Sequence, residues 1–342
     1  MYQMLCVLLA TIAYGTAEGH CQAPQAGTTA VAFQSSTYND FRQLLAREAA
    51  TRTVTIKANL AFPEQNKERY PAVIVVHALG GYRDSNEGYV AAEFRKAGFA
   101  TLTYDSFAAR GTTGAAMSAS PGYLLPGVAD AYAALRWLSS EPRIDAARIA
   151  ILGFSYGAEV VHLTAFETLR SALDAGPDRF AGHVAFYPAG NFGAIAERGA
   201  YTGPPVLLLL GGKDDNLPVA KIENYLAYAR AAGAPAPIET VIYPGAYHGW
   251  TVPDQPSARF YPDLVSTKKC PMFLLGPKQP ALLIDGEAKP FDPAAYIACL
   301  TAAPGYWTGY DAAVRTQSIA DAVRFLQRKD VDARDKPGHD GK

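Results

Sequence analysis

The sequence has no excess of either charge and no long apolar run. Its 342 residues include 31 Lys and Arg against 32 Asp and Glu, which gives a formal net charge of -1. A chain without a basic excess has no broad positive field to hold phosphate groups, so nucleic acid and anionic membrane surfaces are excluded as main partners. Apolar runs such as Pro205–Leu210 are far shorter than the roughly 18 to 20 residues that cross a bilayer, so no membrane span is predicted.

Metal-binding and nucleotide-binding patterns are also missing. The four cysteines include no C-x-x-C pair, and H-E-x-x-H, Walker A and G-x-G-x-x-G patterns are absent. The segment Ser266–Lys269 matches S-x-x-K, but its usual companion K-T-G is absent. The sequence therefore predicts neither a metal nor a cofactor.

Basic residues are missing from the N-terminus, where the first is Arg42. Residues 1–17 nevertheless resemble a signal peptide, with an apolar stretch followed by the small residues Gly15–Ala17 at a cleavage position. This pattern predicts export to the periplasm or the medium, and a cytoplasmic protein with an apolar N-terminus is the alternative.

The cysteines allow one disulfide to be predicted. Cleavage of the leader would remove Cys6 and leave Cys21, Cys270 and Cys299. Of these three, Cys270 and Cys299 are the expected pair if the compartment is oxidising, whereas in a reducing cytosol all would remain thiols.

Strand-like runs alternate with helical periodicity from the middle of the first hundred residues onward. This order predicts an α/β fold, with a mostly parallel central sheet and helices on both faces. The predicted strands are Thr53–Phe62, Pro71–His77, Phe99–Tyr104, Arg148–Leu152, His183–Tyr187, Val206–Leu210 and Ile238–Tyr243. The predicted helices are Gly88–Ala97, Val128–Leu138, one from Ala158, Val219–Ala231 and Tyr310–Gln327.

Two segments interrupt this alternation. Residues 251–308 are rich in proline and irregular, and we expect them to form a long insertion, a candidate lid, within one domain that spans residues 23–328. The tail, residues 329–342, is charged and contains proline and glycine, so it is expected to be disordered.

A G-x-S-x-G motif, Gly153 to Gly157, lies between an apolar strand and a helix. In that context the serine occupies a sharp turn, and the glycines remove the Cβ atoms that would collide with the neighbouring strand and helix. The turn exposes the hydroxyl, and the N-terminus of the helix offers amide donors to a developing oxyanion. The motif predicts Ser155 as a nucleophile and the Tyr156 amide as an oxyanion donor.

A serine hydroxyl needs a base, and one of the six histidines is the best placed. His20 and His339 lie near the termini, His162 lies beyond the first turns of the helix, and His183 begins a strand. His77 ends a strand before the nucleophile, which suits a structural role. This leaves His248, in a glycine-bounded loop after the last predicted core strand.

The remaining catalytic groups are predicted from loops that follow strands. Asp214 and Asp215 both follow the strand Val206–Leu210, and Asp214 is preferred as the partner that orients His248. The loop after Pro71–His77 contains two glycines, so its Leu79 amide is predicted as the second oxyanion donor.

These residues together resemble the dienelactone hydrolase family of α/β-hydrolases, over most of the chain from about Thr53 to Gln327. The likeness rests on the strand ending in His77, the segment from Asp105 to Gly111, the G-x-S-x-G motif, Asp214-x-x-x-Pro218 and the loop Tyr243–Gly249. Typical members carry a cysteine nucleophile and an activating glutamate, where this chain has Ser155 and Ala78. The resemblance therefore implies a serine-nucleophile branch.

The resemblance also implies a substrate contact. In the dienelactone enzymes an arginine after the fourth strand binds the substrate carboxylate, and Arg110 occupies a similar position here. An alternative role for Arg110 is to tie down its own loop through Asp105. Trp250, two residues after His248, is a second candidate for contact with substrate.

The function expected from this reasoning is hydrolysis of a small carboxylic ester or lactone through an acyl-enzyme. Two alternatives remain open at this stage. The same three residues could serve an acyltransferase or a peptidase, or the fold could be a non-catalytic binding protein.

Overall fold

The computed structural model describes residues 27–118, 122–173, 176–255 and 257–334. The predicted signal peptide, which contains Cys6, lies outside the described residues, as do His20, Cys21 and His339. Among the described residues, no helix combines the length and apolarity that crossing a bilayer requires.

A central sheet of eight strands organises the described part of the chain. Its strands are β1 (Thr28–Thr37), β2 (Arg52–Ala61), β3 (Tyr70–Val76), β4 (Ala100–Tyr104), β5 (Ile144–Phe154), β6 (His183–Phe186), β8 (Val206–Gly211) and β9 (Ile238–Tyr243). They lie in the order β1-β2-β4-β3-β5-β6-β8-β9. The pairs β1/β2 and β2/β4 are antiparallel, and all other neighbours are parallel. This is the mostly parallel sheet that the sequence predicts.

Helices cover both faces of the sheet. The α-helices of the described residues are α1 (Phe41–Leu45), α2 (Tyr89–Lys96), α3 (Gly114–Ser118), α4 (Leu125–Ser139), α5 (Tyr156–Thr164), α6 (Glu167–Ala172), α7 (Val219–Ala231), α8 (Pro293–Ala302) and α9 (Ala312–Arg334). A single π-helical turn, Asp84–Gly88, precedes α2, and a 3₁₀ turn, Ala108–Arg110, follows β4.

The core is divided by the sheet into two layers. Every residue of β3 is buried, and its side chains alternate between the layers because successive residues of a strand point to opposite faces. Ile74 and Val76 pack with α4 and α5 on one face. Val73 and Val75 pack with α2 and α9 on the other. A strand covered on both faces reads as a continuous apolar run, which is why β3 is recognisable in the sequence.

The insertion is more regular than expected. Residues 251–308 contain β10 (Arg259–Tyr261), β11 (Met272–Leu275), β12 (Ala281–Ile284), β13 (Glu287–Pro290), α8 and β14 (Tyr306–Thr308). Strands β11 to β13 form a four-stranded sheet with β7 (Phe192–Ala194), in the order β13-β12-β11-β7, and β10 pairs with β14. The prediction of an irregular segment is wrong, because strands of three or four residues leave little periodicity in the sequence.

The end of helix α9 and the first strand of the sheet also differ from expectation. Helix α9 ends at Arg334 rather than Gln327, so residues 329–334 of the predicted tail are helical. Residues 329–334 contain no proline or glycine, and the first proline beyond them is Pro337. Strand β1 was not predicted, and it forms the edge of the sheet by pairing with β2 over its whole length.

The predicted disulfide is confirmed. Cys270 and Cys299 are bonded, which fixes α8 to the segment that precedes β11.

Candidate active site

The site lies where three parallel strands end. Ser155 directly follows β5, Asp214 lies in the loop after β8, and His248 lies in the loop after β9. Carboxyl ends of parallel strands meet at one edge of the sheet, which brings these loops together. The two loops after β8 and β9 are joined by backbone hydrogen bonds from Gly212 N to Tyr243 O and from Lys213 N to Ala246 O.

Ser155, His248 and Asp214 form a continuous chain of close contacts. Ser155 Oγ lies 2.8 Å from His248 Nε2, and His248 Nδ1 lies 2.8 Å from Asp214 Oδ2. Both His248 and Asp214 are buried. The structure therefore brings together the three side chains that the sequence singles out, with His248 between Ser155 and Asp214.

Asp214 is held by its own loop. Its Oδ1 accepts hydrogen bonds from the backbone amides of Asn216 at 3.0 Å and Leu217 at 3.4 Å, which leaves Oδ2 facing His248. Asp215 points elsewhere, since its Oδ1 accepts from Trp307 N and its Oδ2 pairs with Lys268. The preference for Asp214 over Asp215 agrees with this geometry.

The backbone of Ser155 is strained in the way that a sharp strand-to-helix turn requires. Its φ of 52° and ψ of -111° lie outside the regions that L-residues favour. A Cβ on Gly157 would lie 2.5 Å from Val76 O and 2.6 Å from His77 O, so only glycine allows the helix to begin so close to β3. A Cβ on Gly153 would lie 2.4 Å from Gly157 O.

Aromatic rings enclose His248. The rings of Tyr187 and Tyr306 contact it edge-to-face at centroid distances of 5.1 Å and 5.0 Å. Tyr306 belongs to β14, at the end of the insertion, and the next residue but one, Thr308, forms a bridge with His248. The insertion therefore returns to the site and covers one side of the imidazole.

The loop after β3, which contains Leu79, is fixed by a buried glutamate that the sequence analysis did not identify. Glu87 Oε1 accepts from Ala78 N, and Glu87 Oε2 accepts from Arg83 N, each at 3.0 Å. Burial raises the pKa of Glu87. Leu79 itself lies in this loop as predicted, and the oxyanion role of its amide and of the Tyr156 amide stays a prediction.

His77 has the structural role that its position suggests. It is completely buried, its Nε2 accepts a hydrogen bond from Ser106 N at 3.0 Å, and its Nδ1 lies 2.7 Å from Ala78 O. These contacts join the ends of β3 and β4.

Arg110 does not line the site, which contradicts its assignment to substrate. Its guanidinium forms a bidentate salt bridge with the Asp130 carboxylate on α4, with N···O distances of 2.8 and 2.9 Å. The Arg110 side chain is 2% exposed. The other donors reach Thr37 Oγ1, Ser106 O and Ser36 O, so all five N–H groups are used within the protein. Asp105 is not its partner, because Asp105 accepts from the amides of its own loop and of Tyr82.

Trp250 is likewise a core residue rather than a substrate contact. Its ring is fully buried between Tyr187 and Tyr243, and its Nε1 donates to Ser318 Oγ on α9 at 3.0 Å. The family resemblance suggested Arg110 and the position after His248 suggested Trp250, but tertiary packing pairs Arg110 with Asp130 and Trp250 with Ser318.

A second unpredicted carboxyl lies one turn beyond Ser155. Glu159 on α5 is buried, and its Oε2 accepts a hydrogen bond from Tyr123 Oη at 3.0 Å. Burial raises the pKa of Glu159 to about 8. A single acidic residue in an otherwise apolar helix was the signal available in the sequence.

Known proteins share this architecture. A solved structure described as a dienelactone hydrolase-like promiscuous phosphotriesterase, P91 from metagenomic libraries, superposes with a TM-score of 0.53 at 15% identity. The superposition covers 88% of this chain and 98% of that one. At this identity the similarity bears on the fold, which is that of the α/β-hydrolases, as predicted.

Sequence relatives match part of this chain. Two uncharacterized proteins from strains of Mycobacterium tuberculosis are 32% identical over 198 residues, a match that spans 55% of this chain and 66% of theirs, just under two thirds. A Methylorubrum extorquens protein is 28% identical over 249 residues, which covers 68% of this chain and 81% of that protein. That protein is named as a candidate carboxymethylenebutenolidase.

The family profile gives the most specific match. Residues 56–268 match the dienelactone hydrolase family, and this range includes Ser155, Asp214 and His248. The matched range begins in β2 and ends inside the insertion. It therefore includes the strands whose carboxyl ends bring the three side chains together. This chain therefore belongs to the dienelactone hydrolase family of α/β-hydrolases.

Proposed function

We propose that the protein is a serine hydrolase that cleaves carboxylic ester or lactone bonds of small molecules through an acyl-enzyme. The observation that carries the proposal is the pair of 2.8 Å contacts that joins Ser155, His248 and Asp214. Membership of the dienelactone hydrolase family supports the same chemistry, as does the name of the Methylorubrum relative.

In the proposed reaction, Ser155 Oγ attacks the ester carbonyl while His248 Nε2 takes its proton. Asp214 Oδ2 holds the Nδ1–H of His248, which fixes the tautomer and stabilises the imidazolium. The amides of Leu79 and Tyr156 hold the oxyanion, and each such donor lowers the barrier by about 3 kcal/mol. His248 then protonates the leaving oxygen, and water attacks the acyl-enzyme with His248 as base.

Export is the second part of the proposal. The Cys270–Cys299 bond supports an oxidising compartment, where structural disulfides persist. The N-terminal sequence supports the same compartment through its resemblance to a signal peptide.

The test is turnover of a chromogenic short-chain ester by three variants. Ser155→Ala should abolish turnover, and Asp214→Asn should lower kcat by about 10⁴-fold because the wrong tautomer of His248 is stabilised. Asp215→Asn is the matched control, since Asp215 contacts Trp307 and Lys268 instead of His248. Its kcat should stay within a few-fold of wild type. Equal losses in the two aspartate variants would contradict the assignment, as would turnover by Ser155→Ala.

A further inference from the structure

Four buried polar side chains that the proposed reaction does not use form one hydrogen-bonded chain: Tyr187, Thr251, Asn86 and Glu87. Each of the four residues is at most 1% exposed. The Tyr187 hydroxyl bonds to Thr251 Oγ1, which lies 2.7 Å from Asn86 Oδ1. Asn86 Nδ2 lies 3.0 Å from Glu87 Oε1. The chain joins three separate segments, namely the residue after β6, the loop after β9 and the π-helical turn before α2.

The donors in this chain all point the same way. Thr251 has one hydroxyl proton, which is directed to Asn86 Oδ1, so the proton in the Tyr187–Thr251 bond comes from Tyr187. Asn86 in turn donates from Nδ2 to Glu87, whose carboxyl is the acceptor at the end of the chain. Hydrogen bonds in series strengthen one another in a buried site, so the loss of one member weakens the others.

The Tyr187 end of the chain contacts the base of the proposed reaction. The ring of Tyr187 meets the His248 imidazole edge-to-face at a centroid distance of 5.1 Å, and it meets the Trp250 indole at 4.6 Å. The backbone of Tyr187 has a φ of 40°, which a bulky residue rarely adopts. Strain of this kind persists only where the surrounding structure enforces it, and it clusters at active sites. The bond to Thr251, three residues after His248, fixes the far end of the Tyr187 ring.

The Glu87 end of the chain holds the loop after β3. Glu87 Oε1 accepts a hydrogen bond from Ala78 N at 3.0 Å. Ala78 directly precedes Leu79, whose amide is a predicted oxyanion donor. Asn86 and Glu87 both lie in the π-helical turn, a rare geometry that is frequent at functional sites. The chain therefore links the loop that carries Leu79 to the loop that carries His248.

We propose that Tyr187 and Thr251 are positioning residues that hold the His248 imidazole against Ser155, and that Glu87 anchors them to the loop of Leu79. This inference rests on the proposed function, because it concerns the same imidazole. The Tyr187 ring packs on the group whose Nε2 lies 2.8 Å from Ser155 Oγ, and the ring cannot swing while its hydroxyl is bound. A displacement of about 1 Å at a reacting group can cost on the order of 10²-fold in rate.

A matched pair of variants removes the Thr251 hydroxyl with and without a change of shape. Thr251→Val replaces the hydroxyl by a methyl group, whereas Thr251→Ser keeps the hydroxyl and loses the methyl group. With p-nitrophenyl acetate, kcat per active serine should fall on the order of tenfold or more in Thr251→Val, with KM unchanged. It should stay close to wild type in Thr251→Ser.

Active serines are counted by fluorophosphonate labelling, so that unfolded protein does not enter kcat. A purely structural role for Thr251 would lower the Tm and leave kcat per active serine unchanged in both variants. That result would overturn the inference, as would equal losses of kcat in the two variants.

Two tyrosines that pack on the same indole give a second comparison. Tyr187 and Tyr243 both contact Trp250, but the Tyr243 hydroxyl donates to Asp321 Oδ2 on α9, outside the chain. Tyr187→Phe should lower kcat per active serine as Thr251→Val does, and Tyr243→Phe should leave it unchanged. If Thr251→Val does not fold, this comparison decides, and equal kcat values in the two phenylalanine variants would overturn the inference.

The double variant Tyr187→Phe/Thr251→Val tests whether the two residues act as one unit. Its kcat should be no lower than that of the weaker single variant, because either substitution already breaks the chain. Losses that multiply would show two independent effects and would contradict the chain.

A measurement without turnover keeps this inference separate from the proposed function. In Ser155→Ala, NMR can follow the proton on His248 Nδ1, which lies 2.8 Å from Asp214 Oδ2. Adding Tyr187→Phe should accelerate exchange of this proton with water on the order of tenfold, since local opening governs exchange. Adding Tyr243→Phe should not.

This difference in exchange would stand even if wild type hydrolysed no ester, an outcome that would refute the proposed function alone. Equal exchange rates in the two double variants would overturn the positioning role of Tyr187.

Discussion

At the scale of single residues, the site depends on a serine held in an unfavourable backbone conformation. A non-glycine residue at a φ of 52° costs on the order of 1 to 3 kcal/mol, and the surrounding bonds must maintain it. Ser155 N donates to Phe186 O at 3.0 Å, and Ser155 O accepts from the amides of Ala158 and Glu159. These bonds anchor the turn to β6 on one side and to α5 on the other.

The flanking glycine gives a direct prediction. Gly157→Ala places a Cβ against the carbonyl oxygens of Val76 and His77, which are backbone atoms that cannot rotate away. We expect a lower Tm and a loss of most esterase activity, because α5 must move relative to Ser155. Gly245→Ala is the control, since no atom of the described residues lies within 4 Å of a Cβ there. Thermal unfolding and ester turnover of the two variants test the expectation, and a Gly157→Ala enzyme as active as Gly245→Ala would refute it.

Arg110 gives a prediction about stability rather than binding. Removing its guanidinium leaves Asp130 buried without its partner, which typically costs about 3 to 5 kcal/mol. Arg110→Ala should lower the free energy of unfolding in urea by that amount, whereas Arg136→Ala, on the exposed face of the same helix as Asp130, should have little effect.

A role in substrate binding would give the opposite pattern. The unfolding free energy of Arg110→Ala would then be unchanged, and its KM would rise only for esters that carry a carboxylate.

At the scale of elements, the strands of the insertion contribute Met272, Leu274 and Leu283 to the core, whereas its helix α8 is attached by few buried contacts. Helix α8 has no buried residue, and its link to the rest of the insertion includes the bond from Cys299 to the buried Cys270. Its Tyr296 nevertheless contacts the rings of Phe273 and Phe291. The disulfide therefore limits how far this helix can move from the site.

Removing the disulfide should loosen α8 selectively. In a Cys270→Ser/Cys299→Ser double variant, we expect proteolysis between residues 276 and 302 to accelerate on the order of tenfold or more, since the bond closes a loop of 29 residues. Mass spectrometry of the fragments identifies the cut, and wild type with reductant should give the same fragments. Unchanged cleavage, or cleavage spread over the central sheet, would contradict this view of the insertion.

Much of the central sheet was predictable because its strands are buried on both faces. Strands β3 and β8 are continuous apolar runs, and helix α7 and strand β9 begin and end at the predicted residues. Edge strand β1 is half polar and alternates weakly, so its pairing with β2 could not be anticipated. The short strands of the insertion depend on β7, which lies about 80 residues earlier in the chain.

The candidate site also has a part that the sequence predicts and a part that it does not. Ser155, Asp214 and His248 each follow a recognisable strand, so local sequence was sufficient to select them. Long side chains are different, because their partners come from distant elements. Nothing near Arg110 in the sequence indicates that Asp130, 20 residues later, would take its guanidinium.

At the scale of the whole molecule, buried histidines make stability depend on pH. Burial lowers the pKa of His162 to about 3 and that of His183 to about 4, from an ordinary value of 6.5. Their Nε2 atoms are buried, and no hydrogen-bond partner for either is found among the described residues. The unfolded chain binds these protons more readily, so each histidine contributes stability above pH 6.5 that is lost as the pH falls toward its folded pKa.

The prediction compares the unfolding free energy of wild type with that of the His162→Gln variant. Between pH 6.5 and pH 5, wild type should lose about 2 kcal/mol more unfolding free energy than the variant. Urea denaturation at the two pH values measures this difference. Parallel losses in the two proteins would show that His162 takes up its proton as easily when folded as when unfolded.

The raised pKa of Glu159 should make the unfolding free energy depend on pH in the opposite direction. Its folded pKa is raised from 4.5 to about 8, so its contribution is complete below pH 4.5 and is lost as the pH rises through 8. Glu159→Gln should therefore become more stable relative to wild type as the pH increases over this interval. A constant difference in unfolding free energy would contradict the raised pKa of the buried Glu159 carboxyl.

The central claim is that the Ser155 hydroxyl, activated by His248, is the nucleophile. The most direct measurement is the mass of the protein after reaction with a fluorophosphonate, followed by mapping of the modified peptide. The account predicts one adduct per chain, located on Ser155, and much slower labelling in Asp214→Asn than in Asp215→Asn. An unmodified protein, or an adduct on any other residue, would contradict it.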